Sequence, residues 1–145
     1  WETASVPMRS GRAGLGFSAG ASLSERASTR FTEQLYDAVD KVDSLSCRPD
    51  FTLLIYPAYM DEGANKTLTP ELTVTSNTPP TFIFQTADDP YGNSALVIAG
   101  ALRDKKVPVE LHFLPEGGHG YGLRKDIRAG IEWPKLAEQW LKNHK

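Results

Sequence analysis

The chain has 145 residues, 40% of them hydrophobic and 23% charged, with a formal net charge of −2. That length suits a single domain spanning 1–145, with a core large enough to stand without disulfide staples. The near-neutral balance argues against nucleic-acid binding, which needs a basic face. A lone Cys47 excludes an internal disulfide, no Cys/His cluster points to a metal, and no apolar run approaches the ~20 residues of a membrane span.

In chain order, residues 1–11 read as a lead-in loop, and the short apolar run RAGLGF from Arg12 reads as a strand that ends at Ser18. Leu23, Ala27, Phe31, Leu35, Val39 and Val42 recur three or four apart, which predicts a helix with a break near Ser28-Thr29. The continuous apolar run FTLLIY (51–56), closed by Pro57, predicts a strand buried on both faces, as in a parallel sheet. Residues 57–80 read as loop. TFIFQT (81–86) is a second buried strand, cut off by Asp88-Asp89-Pro90. Asn93 or Ser94 then caps a helix expected to bury Ala95, Leu96, Ile98, Ala99 and Leu102. Residues 107–114 form a further strand, and Gly117, Gly118, Gly120 and Gly122 surround His119 in the loop that follows. A last helix is expected to start near Pro134 and to bury Trp133, Leu136, Ala137, Trp140 and Leu141. Such alternation predicts an α/β domain, with a mostly parallel sheet flanked by helices.

Gly16-Phe17-Ser18-Ala19-Gly20 is a G-x-S-x-G pentapeptide. Composition alone produces one in roughly one chain in twenty of this length, so its weight comes from context. A strand before Ser18 and a helix after it would push the hydroxyl out of the sheet, with the helix N-terminus beside it. A serine nucleophile needs a base, and the base needs an orienting acid. His119 stands in a glycine-rich loop after a strand. His112 lies within a strand beside Glu110, and His144 lies in the tail, so neither has that placement. Asp89 directly follows TFIFQT and is the favoured acid, with Asp88 the neighbouring alternative and Asp61 a weaker third choice. The order Ser18, Asp89, His119 is that of α/β-hydrolases, and each residue follows a different predicted strand, where ligands bind in open parallel sheets.

On GLGFSAG, SCRPDFTLLIYPAYM, TPPTFIFQTADDP and LPEGGHGYGLR, the sequence resembles the microbial α/β-hydrolase serine esterases, and most closely the acetylxylan-esterase-like and feruloyl-esterase-like group. The resemblance runs from about Arg12 to Leu141. It implies Ser18 as nucleophile, Asp89 as acid, His119 as base and the Ala19 backbone N–H as one oxyanion donor. It also implies acetyl or feruloyl esters of plant polysaccharide, or small esters, as substrates, with no metal or organic cofactor. Tyr121, beside the histidine, is a candidate substrate-pocket residue.

Two departures stand out. Ala21-Ser22-Leu23 replaces the family's Gly-His-Leu after the elbow, and nothing before Gly16 matches the HGGG-type loop that donates the second oxyanion N–H. The chain thus resembles the C-terminal portion of the fold, lacking its N-terminal strands. Two expectations follow. The chain alone should be a weak catalyst, since one oxyanion donor is worth about 10²–10³ in rate. The open edge of the first strand should invite self-association. Three alternatives carry different expectations: a catalytically incomplete binding module, a prolyl-peptidase-like enzyme, and a dinucleotide-binding domain read from the G-x-G-x-x-A at Gly14–Ala19.

Overall fold

The computed structural model describes residues 11–143, so the lead-in loop up to Ser10 and His144 lie outside the described residues. Four parallel strands form one sheet in the order β1 (Ala13–Phe17), β2 (Phe51–Ile55), β5 (Thr81–Thr86) and β6 (Val109–Leu114). A small antiparallel hairpin, β3 (Asp61–Glu62) and β4 (Thr67–Leu68), interrupts the stretch expected to be loop. Among the described residues the sheet is joined by three α-helices: α1 (Ala19–Thr29), α2 (Asn93–Asp104) and α3 (Arg128–Asn143).

Both faces of the sheet are covered, which is why β2 and β5 read as unbroken apolar runs. Leu54 and Ile83 join Ala21 of α1 and Ala95, Ile98 and Leu102 of α2 in one core cluster. Their neighbours Leu53, Ile55, Phe82 and Phe84 point the other way and pack with Trp133, Ala137 and Trp140 of α3. The two-residue alternation of strand side chains thus divides each run between two cores.

Three elements differ from the sequence-based expectation. The predicted stripe after Arg30 forms no α-helix. Residues 31–50 are loop with one short 3₁₀ turn (Lys41–Ser44), and Leu35 and Val39 are 82% and 86% exposed. Ser28 and Thr29 hydroxyls donate back to the Ser24 and Glu25 carbonyls at 2.8 and 2.9 Å, a bonding habit that weakens a helix where it stands.

The buried face of α1 is also not the predicted one. Ala21, Ser22, Glu25, Ser28 and Thr29 face inward, while Leu23 and Ala27 face out. Close approach to the sheet explains the reversal. A Cβ on Gly14 would already touch Thr52 at 3.4 Å, and the Ser28 and Thr52 hydroxyls hydrogen-bond at 2.6 Å, so at Ser28 this contact has room for a small side chain only.

Finally, α3 begins six residues before Pro134, which sits inside the helix. Its amide nitrogen cannot donate to the Gly130 carbonyl, yet burial of Ala129, Trp133, Ala137 and Trp140 along one face carries the helix through. In α2, Ala95, Ile98 and Leu102 of the expected face are buried, Ala99 is half-buried, and Leu96 is exposed. The outer edge of β1 has no strand partner among the described residues, and Leu15 on that strand is 51% exposed.

Candidate active site

The sequence-predicted residues meet at the C-terminal ends of the strands. Ser18 follows β1 directly and caps α1 with φ 55° and ψ −124°, a backbone state costly for a residue with a Cβ. Three hydrogen bonds hold it there. The Ser18 N–H donates to the Ile55 carbonyl at 3.1 Å, and the Ser18 carbonyl accepts from the N–H groups of Ala21 (3.0 Å) and Ala58 (3.3 Å). The turn is possible because residue 16 is glycine: a Cβ there would lie 2.2 Å from the Gly20 carbonyl oxygen. At Gly20 an added Cβ would meet nothing within 4 Å, so of the two flanking glycines only Gly16 relieves crowding. Gly16→Ala is therefore expected to destabilise the fold by about 1–3 kcal/mol. An unchanged urea midpoint for that variant would contradict the close approach of α1 to β1.

Ser18 Oγ lies 2.7 Å from His119 Nε2, and His119 Nδ1 lies 2.7 Å from Asp89 Oδ2. With Nδ1–H donating to the carboxylate, Nε2 is left to accept the serine proton. The Asp89 side chain is fully buried, and its other oxygen accepts the Tyr91 N–H at 2.8 Å. Asp88 takes a different direction. It accepts the backbone N–H groups of Gly117 (3.1 Å) and Gly118 (2.9 Å), which tie the histidine loop to the end of β5. Those two donors, Gly118 first, hold the Asp88 carboxyl below its ordinary range, so the tether stays ionised above mildly acidic pH. Thr86 adds a hydroxyl donated to the Gly118 carbonyl at 2.8 Å. Gly117 has φ 153°, and a Cβ there would fall 2.8 Å from Thr86 Cγ2. The loop therefore requires glycine at this position.

Other residues singled out in the sequence fall outside this arrangement. Asp61 belongs to a structural knot: its carboxylate accepts from Ser94 Oγ at 3.0 Å and Asn93 Nδ2 at 2.9 Å, docking the hairpin on the start of α2. His112 pairs with Glu110 at 2.8 Å on β6, as a histidine within a strand beside a glutamate would. Tyr121 is fully buried among Tyr56 and Phe84, its hydroxyl making no hydrogen bond among the described residues. Burial raises its phenol pKa strongly and takes it out of reach of any pocket, so it supports the site from below instead of lining it. The G-x-G-x-x-A fingerprint fails as well. It needs a tight turn after a strand at its first glycine, and Gly14 and Gly16 both lie within β1.

The sequence reading missed the aromatic surround of the histidine. Tyr56, at φ 39°, sets its ring 5.2 Å from the His119 ring, and Tyr91 sets its own at 4.9 Å on an edge-on approach. The Pro57 and Pro90 punctuation beside both tyrosines was visible, but only the fold turns them toward one imidazole. Among the described residues no group of three or more His, Cys, Asp or Glu is placed to hold a metal, and no helix is long and apolar enough to cross a membrane.

No family model matches the chain. It is 35% identical over 133 residues to endo-1,4-beta-xylanase B of Butyrivibrio fibrisolvens, an alignment covering 77% of this chain and 21% of that protein. Among solved structures, the acetyl ester-xyloside bifunctional hydrolase of Caldicellulosiruptor lactoaceticus superposes with a TM-score of 0.74 at 36% identity, over 89% of this chain and 55% of that one. An α/β-hydrolase enzyme from a Medee basin deep-sea metagenome gives a TM-score of 0.64 at 29% identity, over 91% and 53%. A carboxylesterase from Lactobacillus plantarum, at 23% identity and a TM-score of 0.64, shares the fold. The chain spans about half the length of these solved structures. In fold, the chain is α/β-hydrolase-like, and over most of its length it is similar in sequence to hydrolases of that fold.

Proposed function

We propose that this chain carries the catalytic triad of a serine esterase that cleaves carboxylic esters through an acyl-enzyme intermediate. One observation carries the reading: an unbroken hydrogen-bonded path from Ser18 Oγ through both nitrogens of His119 to the buried carboxylate of Asp89. Ser18 attacks the ester carbonyl while His119 Nε2 takes its proton. Asp89 keeps the proton on Nδ1 and stabilises the imidazolium that forms. The Ala19 N–H, at the first residue of α1, faces the developing oxyanion together with the positive end of the helix dipole. His119 then protonates the departing alcohol, and water reverses the sequence to release the acid. The strained turn at Ser18 acts as the nucleophile elbow that lifts the hydroxyl clear of the sheet. Similarity to an acetyl ester-xyloside hydrolase and to a xylanase supports acyl esters borne on plant polysaccharide, or small esters, as substrates.

A fluorophosphonate probe tests this without requiring turnover. The expected result is a single adduct that peptide mass spectrometry places on Ser18. Labelling of another serine, or of none, would overturn the assignment.

The exposed edge of β1 supports a second expectation, that the isolated chain pairs with itself. Sedimentation should show association that Leu15→Lys reduces, and a monomer at high micromolar concentration would refute it.

A further inference from the structure

Just past its last paired residue, β2 leaves the sheet. The Tyr56 N–H still donates to the Phe84 carbonyl at 2.8 Å, and the even rhythm of a parallel ladder would next return a bond from the Thr86 N–H to the Tyr56 carbonyl. Tyr56 has φ 39° instead, and the chain turns away. The fully buried side chain of Gln85 takes over at this point. Its Oε1 accepts the Thr86 N–H at 2.9 Å, and its Nε2 donates to the Pro57 carbonyl at 3.1 Å. One partner can only donate and the other only accept, so the orientation of the amide is fixed. Both ends lead to the site. The Pro57 carbonyl and the Ala58 N–H belong to one planar peptide unit, and that N–H donates to the Ser18 carbonyl at 3.3 Å. On the other side, the Thr86 hydroxyl donates to the carbonyl of Gly118, the residue before His119, at 2.8 Å.

We propose that Gln85 is a positioning residue: its buried amide joins the serine turn to the histidine loop and so holds Ser18 Oγ at its 2.7 Å approach to His119 Nε2. The inference rests on the reading of Ser18 as nucleophile and deepens it by naming what keeps nucleophile and base in register. An apolar side chain of the same length would fill this place without the cost of desolvating an amide. What the amide adds is a pair of bonds across a gap that the β2–β5 ladder no longer spans. Removing it leaves the Pro57 carbonyl and the Thr86 N–H without these partners inside the fold, and the peptide unit that carries the Ser18 carbonyl loses its anchor on β5. Gln85 acts only through Pro57 and Thr86. It takes no part in proton transfer.

The test is the saturation kinetics of Ser18 labelling by a fluorophosphonate on the full chain, which separates the half-saturating concentration from the maximal rate. Rates are normalised to the folded fraction, measured by urea unfolding of the same samples, so that a loss of stability alone leaves them unmoved. Gln85→Met keeps the volume and removes both bonds. It is expected to lower the maximal rate at least about fivefold, in line with the cost of small misplacements of reacting groups, and to leave the half-saturating concentration unchanged. Should that variant not fold, Gln85→Asn, whose shorter amide cannot span both partners, takes its place with the same expectation. Thr86→Val removes the hydroxyl bond to Gly118 at the other end of the path. Because either substitution interrupts one continuous join, the double variant should label little more slowly than the slower single one. A smaller drop in the maximal rate, a change confined to the half-saturating concentration, or single costs that multiply in the double variant overturns the join while leaving the nucleophile in place. Failure of the wild-type chain to label at Ser18 defeats the nucleophile reading, and the join with it.

Discussion

Asp89→Asn is expected to slow modification of Ser18 by a fluorophosphonate about 10⁴-fold, whereas Asp88→Asn should cost no more than about tenfold. The asymmetry comes from what each carboxylate meets. Asp89 accepts His119 Nδ1–H with one oxygen and the Tyr91 N–H with the other, so an asparagine that keeps the Tyr91 bond turns its NH₂ toward the ring. The imidazole then carries its proton on Nε2 and can no longer accept one from Ser18. Asp88 instead receives two backbone N–H groups of the histidine loop, and an amide oxygen can still accept from one of them. Asp88→Ala, losing both, should fall between the two variants. Second-order labelling constants over a range of pH decide the matter, and the reverse ranking would reassign the acid to Asp88.

The second large effect concerns stability. Glu25 lies on the sheet-facing side of α1, fully buried, with neither carboxylate oxygen hydrogen-bonded among the described residues. Burial in this dry contact penalises the ion and raises the pKa from its ordinary 4.5 to about 8. A folded-state pKa above the unfolded one means that the native chain binds more protons in that interval. Its stabilising contribution is therefore complete below pH 4.5, falls as pH rises toward 8, and is gone above it. The expected loss is on the order of 4 kcal/mol relative to the neutral form. Glu25→Gln keeps the shape and removes the proton, so the difference in urea stability between wild type and variant should grow steadily from pH 5 to pH 8. A difference that stays constant over that range would show that Glu25 is ionised and paired in the fold. Because Ser18 caps α1, the same loosening at alkaline pH should lower the rate of serine labelling.

Local pattern was sufficient for the sheet. Continuous apolar runs at 51–55 and 81–86, each ended by proline or paired aspartates, can only be buried on both sides, and the alternation of strands with helices then leaves a mostly parallel layer. The convergence of Ser18, Asp89 and His119 was legible for a related reason. Each immediately follows, or lies in the loop after, a strand whose end is marked by glycine, proline or aspartate, and parallel strands bring such ends to one rim.

Pattern failed where the neighbour decides. Helical spacing after Arg30 was present, but Leu35 and Val39 find no apolar partner there, and spacing without a surface to cover makes no helix. On α1, periodicity favoured Leu23, and only the closeness of Gly14 and Thr52 determines that the small Ser28 goes inward. Asp88 and Asp89 are adjacent and chemically identical, so composition could rank them only by position. It took the folded loop, with its glycine amides over one carboxylate and the imidazole over the other, to give them separate tasks. Sequence thus determined which elements form and where their ends lie, since those depend on near neighbours along the chain. Tertiary structure alone decided which faces meet and which rings and carboxylates touch, because those contacts join residues 24 to 101 positions apart.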